Sequence, residues 1–98
     1  MKEVLVIGSG ISGLVSAIEC AKNGNHVTLV SSYPSERSQS VMAAGGINAA
    51  LNTKGENDSA WCHAEDTLKG GCNIADRHAV EGMCVAAPEI VRWLESIG

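Results

Sequence analysis

The chain has 98 residues and a mass of 10.2 kDa, which fits one small domain and leaves no room for a cofactor domain plus a separate substrate domain. Hydrophobic residues make up 45% and charged residues 18%, which excludes a disordered chain; with no Phe, one Tyr and two Trp, any core must be mainly aliphatic. Seven Lys and Arg stand against eleven Asp and Glu, a net charge of −4 with no basic run, so nucleic acid is not expected as a partner.

Val4 to Ile7 (V-L-V-I) is a short apolar run stopped by Gly8, the pattern of a strand covered on both faces of a parallel sheet. The period then changes. Ile11, Leu14, Val15, Ile18 and Ala21 form a helical stripe that ends near Asn23-Gly24, where a left-handed cap costs little. His26 to Val30 (H-V-T-L-V) reads as a second strand and completes the start of a β-α-β unit.

Residues Ser31 to Gly46 hold no sustained period and contain Pro34, so they are expected to form an irregular loop, and a loop of that length inside a small domain usually has a function. Ile47 to Leu51 reads as a helical turn or short strand, and Asn52 to Asp58 as a polar surface turn. Asp58 or Ser59 can cap a helix to about Leu68, with Trp61, Ala64 and Leu68 on one face, Glu65 and Lys69 towards water, and Gly70-Gly71 as the stop. Asp76 can cap the next helix, whose buried stripe is Ala79, Val80, Met83, Cys84 and Ala87. Pro88 is expected to break or restart it before a last segment carrying Ile90, Val91, Leu94 and Ile97 on one side.

No apolar run approaches the roughly 18 residues that cross a bilayer, and the first residues read as a strand instead of a leader, so no transmembrane segment and a cytoplasmic, reducing setting are expected. Cys20, Cys62, Cys72 and Cys84 lack C-x-x-C spacing and read as ordinary thiols, and no metal site is expected from them with His26, His63 and His78. His63 and Asp66, three apart on a predicted helix, read as surface residues.

The motif with most chemical content is Gly8-Ser9-Gly10-Ile11-Ser12-Gly13, a G-x-G-x-x-G directly after a predicted strand and opening a predicted helix. Gly8 permits the tight turn, Gly10 lets the backbone approach a pyrophosphate, and Gly13 lets the helix pack closely on the strand. The free N–H groups and positive end of the helix then face the phosphates. The bland alternative is a packing turn with no ligand. An acid that would bond an adenosine ribose at the end of the second strand is replaced by Ser31-Ser32, neutral and so weaker partners.

The segment Ser31 to Asn48, with Arg37-Ser38-Gln39-Ser40 and Ala43-Ala44-Gly45-Gly46-Ile47-Asn48 inside it, resembles the flavoprotein subunits of succinate dehydrogenase and fumarate reductase and their relative L-aspartate oxidase. The similarity continues through Asn52-Thr53-Lys54-Gly55-Glu56, nearer the dehydrogenase branch. His63 to Leu68 and Asp76 to Glu81 lie nearer aspartate oxidase. The resemblance implies an α/β, Rossmann-like FAD-binding domain, with residues 1–98 as its N-terminal part, a βαβ start followed by helices, and the substrate-capping domain absent. It implies FAD held by Gly8, Ser9, Gly10, Ile11, Ser12, Gly13, Ser31, Ser32, Arg37, Ser38, Gln39, Ser40, Ala43, Ala44, Gly45 and Gly46.

Two departures matter. The family histidine that bonds covalently to the flavin falls at Gln39, whose amide has no nucleophilic ring nitrogen, so FAD is expected to be non-covalent. The family glutamine before the paired glycines is Ala44, which removes one polar flavin contact. The resemblance further implies, for the full-length protein, a dicarboxylate substrate, an iron–sulfur electron-transfer subunit as partner and a place at the inner face of the cell membrane. The family's proton donor and dicarboxylate-binding groups lie in later parts of a longer chain, so no catalytic residue is expected among these 98. An L-aspartate oxidase fragment and a non-catalytic nucleotide-binding module are the alternative readings.

Overall fold

The structure, a computed structural model, describes all residues from Met1 to Gly98. The chain divides into two compact units, Met1–Gly45 and Gly46–Gly98.

In the first unit, strand β1 (Glu3–Ile7), helix α1 (Ile11–Lys22) and strand β2 (His26–Val30) follow one another as the sequence pattern requires. The strands pair in parallel with Glu3 opposite His26 and Ile7 opposite Val30. The ladder extends one bond at each end, His26 N–H to the Lys2 carbonyl (2.9 Å) and Gly8 N–H to the Val30 carbonyl (2.8 Å). Helix α1 stops at the expected place. Gly24 is left-handed (φ +75°), its N–H bonds the Ala21 carbonyl and the Asn25 N–H bonds the Cys20 carbonyl, a Schellman closure that satisfies two terminal carbonyls.

Two expectations are corrected here. The strands are covered on one face only: Val4, Val6, Val27 and Leu29 are half-buried, whereas Leu5 is 61% and Ile7 80% exposed on the other face. The face of α1 turned inward is also not the large-residue stripe. Gly13, Val15, Ala17 and Cys20 are half-buried, while Ile11, Leu14 and Ile18 are exposed. The reason is distance. A helix lying against the turn at Gly8 must present small side chains, and Gly13, Ala17 and Cys20 supply them at i, i+4 and i+7.

The expected loop after β2 carries a 3₁₀ turn at Ser35–Arg37 and one short helix, α2 (Gln39–Met42), whose first turn closes by Val41 N–H and Met42 N–H on the carbonyl of its N-cap Ser38 (3.1 Å each).

The second unit begins with irregular chain: Ile47 to Leu51 forms neither strand nor helix, and Leu51 N–H bonds the Ala49 carbonyl at 3.0 Å. The polar turn 52–58 is found where expected, with Gly55 N–H on the Asn52 carbonyl (3.1 Å) and Asp58 N–H on Asn52 Oδ1 (3.1 Å). Helix α3 (Ala60–Gly70) is capped by Ser59, whose Oγ accepts the Cys62 N–H at 3.1 Å. Helix α4 (Arg77–Ile97) is capped by Asp76, whose Oδ1 accepts the Ala79 N–H at 2.8 Å. The two pack through Ala64, Leu68, Val80 and Cys84, the last fully buried. Trp61 and Met83, expected in the apolar stripes, are 62% and 53% exposed, and Ala79 is exposed as well. Arg77 joins the helices, donating to Glu65 (2.6 Å) and to Glu81 (3.3 Å). The hydrogen bond to Glu65 first, then that to Glu81, raises its pKa above the ordinary value.

Pro88 does not break α4, which runs through it. Proline's fixed φ is compatible with a helix. What it costs, through one lost N–H bond and the clash of its ring with the preceding turn, is about 3 kcal/mol, and Ala86, Ala87, Pro88 and Val91 are half-buried in the helix that continues. Gly70-Gly71 also ends α3 in an unexpected way. Neither glycine takes the left-handed position; Cys72 does (φ +54°), with Asn73 N–H on the Leu68 carbonyl at 2.8 Å.

Candidate cofactor site

Gly8 has φ +111°, a conformation that any side chain would strain, and it turns the chain from β1 straight into the first residues of α1. Gly13 is required for a different reason. A Cβ there would sit 3.0 Å from the Gly8 carbonyl carbon, closer still to the Gly8 oxygen, and 3.6 Å from Val6 Cγ1. The glycines therefore bring the helix N-terminus against the end of the strand, the close packing that the motif demands.

The amides of this terminus divide into two kinds. Leu14 N–H is the first intrahelical donor, to the Gly10 carbonyl at 3.0 Å. The Ser12 and Gly13 amides have no acceptor within the chain and carry the positive end of the helix. The Ile11 amide is already taken, by Ser40 Oγ at 2.9 Å, so a residue 29 positions away acts as the N-cap that Gly10 lacks. The same Ser40 Oγ lies 3.2 Å from where a Cβ on Gly10 would be, so the space beside Gly10 is filled on one side by Ser40.

Below the turn lies a cavity of about 200 Å³ lined by Ile7, Gly8, Ser9 and Gly10, by Ser31, Ser32 and Tyr33 at the end of β2, and by Ser38. It is smaller than the roughly 300–1,000 Å³ of a pocket for a whole ligand, and is sized for one part of an extended molecule. Ser9 is 4% exposed and donates to Ser31 Oγ at 2.8 Å, with a longer approach of 3.5 Å to the Tyr33 carbonyl. Ser38 is 5% exposed and its hydroxyl has no partner within the chain. The structure thus brings Gly8 to Gly13, Ser31, Ser32, Ser38 and Ser40 to one place. Arg37, Gln39, Ala43, Ala44 and Gly45 are exposed in the same unit and outside this cavity, and Gly46 opens the second unit. Ala44 is left-handed (φ +47°), and its methyl side chain has no polar atom to offer a cofactor.

Sequence reasoning left His63 and Asp66 on the surface. Asp66 is exposed, but both line a second cavity, of about 490 Å³, together with Asn48, Ala49, Ala50, Asp58 and Thr67 in the second unit. His63 Nδ1 is buried with no partner. Helical spacing alone could not reveal this, because the burial comes from the chain before α3.

A family model described as an FAD binding domain matches residues 3–98. The chain belongs to the FAD-binding domain family. Over 95 residues, 97% of its length, this FAD-binding chain is 47% identical to a succinate dehydrogenase flavoprotein subunit of Bacillus subtilis strain 168. It is 42% identical over 96 residues to the corresponding subunit of Rickettsia felis, and 38% identical to the mitochondrial succinate dehydrogenase [ubiquinone] flavoprotein subunit of Oryza sativa subsp. japonica. The chain covers 98% of itself in the latter two alignments but only 16% and 15% of those relatives, and 16% of the Bacillus protein, in their N-terminal part. No solved structure matches it.

FAD is the cofactor of this family. The glycine turn fits such a ligand: two unpaired amides at a helix N-terminus, a backbone approach that Gly13 keeps open, and an adjoining hydroxyl-lined cavity are a donor set for a phosphate and a sugar.

Proposed function

We propose that this chain is the N-terminal, FAD-holding part of a Rossmann-like domain in a succinate dehydrogenase or fumarate reductase type flavoprotein oxidoreductase. The close approach of α1 to Gly8 at Gly13, with the unpaired Ser12 and Gly13 amides beside a cavity of about 200 Å³, is the observation that carries it. In this reading Gly8 to Gly13 hold the pyrophosphate, Ser31, Ser32 and Ser38 hold the adenosine side, and Arg37, Gln39, Ser40 and Ala43 to Gly46 run along the remainder of the cofactor. The flavin supplies hydride transfer. This chain's residues bind and orient it.

Gln39 opens α2 with its side chain exposed, and its amide offers no ring nitrogen for a bond to the flavin, so the cofactor is held without a covalent link. In the longer protein the substrate is a dicarboxylate and the electron partner an iron–sulfur subunit at the inner face of the membrane. No helix of this chain is long and apolar enough to cross a membrane, which suits a peripheral position. The succinate dehydrogenase identity of the relatives named above favours this branch over L-aspartate oxidase.

The test is flavin binding by the intact chain, followed by flavin absorbance and by release after acid denaturation. Bound flavin is expected to leave the denatured polypeptide completely. Gly10→Val, whose side chain would meet both Ser40 and the phosphate path, is expected to lose at least about tenfold in affinity. Flavin that stays on the denatured chain, or unchanged affinity in the variant, refutes the reading.

A further inference from the structure

Six asparagines stand in the chain, and only Asn23 is followed by a glycine. That pair is intrinsically reactive. The backbone nitrogen of the following residue can attack an asparagine Cγ, and a glycine, having no Cβ, shields that nitrogen least. The attack forms the N–Cγ bond of a five-membered succinimide and breaks the Cγ–Nδ2 bond. The proton of the attacking N–H ends on Nδ2, which leaves as ammonia. Water then opens the ring at either carbonyl, giving aspartate or isoaspartate.

Both residues are exposed, and nothing lies within 4 Å of the place a Gly24 Cβ would take, so water reaches the pair. The end of α1 nevertheless holds the reacting atoms apart. Gly24 N–H is bonded to the Ala21 carbonyl at 2.9 Å, which engages the nucleophile. Asn23 Nδ2 donates to the Glu19 carbonyl at 2.8 Å, which turns the side-chain amide back along the helix. Asn23 also has ψ +18°, whereas ring closure needs the Gly24 nitrogen eclipsed with Cβ about the Cα–C bond. The next residue secures this arrangement. Asn25 Nδ2 donates to the Cys20 carbonyl at 3.0 Å, and Asn25 Oδ1 accepts the Lys2 N–H at 3.1 Å, which ties the cap to the start of β1.

We infer that Asn23-Gly24 is a spontaneous deamidation site of this chain, gated by opening of the Schellman closure at the end of α1. Rotation about ψ of Asn23 breaks the Gly24 bond, so the reaction runs through the fraction of molecules in which the cap is open. The products close the cap less well. An aspartate at position 23 has no donor for the Glu19 carbonyl, and it puts a negative charge four residues from Glu19 at the negative end of the helix. Isoaspartate adds one main-chain carbon three residues before His26, whose N–H to the Lys2 carbonyl (2.9 Å) begins the pairing of the strands. Modification therefore loosens the first unit at the joint between α1 and β2.

The experiment incubates the intact chain at mildly alkaline pH, native and in concentrated guanidinium chloride, and follows the mass gain of deamidation by peptide mapping. In denaturant Asn23 is expected to react first of the six asparagines, and in the native chain to react at least about tenfold more slowly. Asn25→Ala removes two bonds that secure the cap without touching the reacting atoms. It is expected to quicken native deamidation by about threefold to tenfold and to leave the denatured rate unchanged. Circular dichroism verifies that the variant is folded; if it is not, the native-to-denatured ratio of the wild-type chain decides alone. The deamidated chain, separated by charge, is expected to unfold at a lower guanidinium midpoint than the unmodified chain. Equal native and denatured rates at Asn23 overturn the inference, as does another asparagine reacting first in denaturant. So does a folded Asn25→Ala chain that reacts at the wild-type rate, or a deamidated chain with an unchanged midpoint.

Discussion

Replacing Gly13 with alanine adds one methyl group at the third position of α1, and two effects of opposite sign compete there. Alanine is favoured over glycine in a helix by up to about 1 kcal/mol. The added Cβ, however, would stand 3.0 Å from the Gly8 carbonyl carbon and nearer to its oxygen, against an optimal non-bonded separation of about 3.5–4.0 Å. Both obstructing atoms are backbone, and Gly8 is held by its N–H bond to the Val30 carbonyl at 2.8 Å, so no side chain can swing aside. Helix α1 must retreat from β1, and such overpacking costs about 1–3 kcal/mol or more. The steric term wins, and a net loss of about 2 kcal/mol is expected, equivalent to a fall of about 10 °C in Tm for a domain of this size. The retreat also carries the Ser12 and Gly13 amides away from a bound phosphate, so FAD affinity is expected to fall at least about tenfold. Urea unfolding followed by circular dichroism measures the first effect, with amide exchange in α1 reporting the first unit separately. Gly82→Ala is the internal control: nothing lies within 4 Å of a Cβ at Gly82, so the helix preference acts alone and a gain of up to about 1 kcal/mol is expected. A Gly13→Ala chain as stable as wild type would refute the argument from close approach.

Cys72→Gly is expected to stabilise the second unit by about 1 kcal/mol, because the left-handed residue closing α3 (φ +54°) is exposed and loses only strain; a lower urea midpoint would contradict it. Asp76→Ala should cost about 1 kcal/mol by leaving the Ala79 amide without its 2.8 Å acceptor, and amide exchange in the first turn of α4 should quicken; unchanged exchange would show that the cap contributes nothing. Ser40→Ala removes the only acceptor of the Ile11 amide, and faster exchange at that single amide is the expected signature.

What the sequence by itself determined is local. The β-α-β start, the Asn23-Gly24 stop, the Ser59 and Asp76 caps and the glycine turn are each set by a few neighbouring residues, through strand and helix periodicity, side-chain-to-amide bonds and the freedom of glycine. The polar turn at 52–58 belongs with them. The tertiary structure decided whatever depends on residues far apart in the chain. Ser40 caps α1 from 29 positions away, and Ser38 is buried by a fold-back that serine composition does not announce. The face α1 turns to the sheet follows from the closeness of Gly13 to Gly8, so small residues win over the larger apolar stripe that periodicity favours. Pro88 stays inside α4, and Cys72 instead of a glycine takes the left-handed turn, because each costs only a few kcal/mol at most. A local preference of that size yields to packing, and packing is a property of the folded chain and not of any short segment.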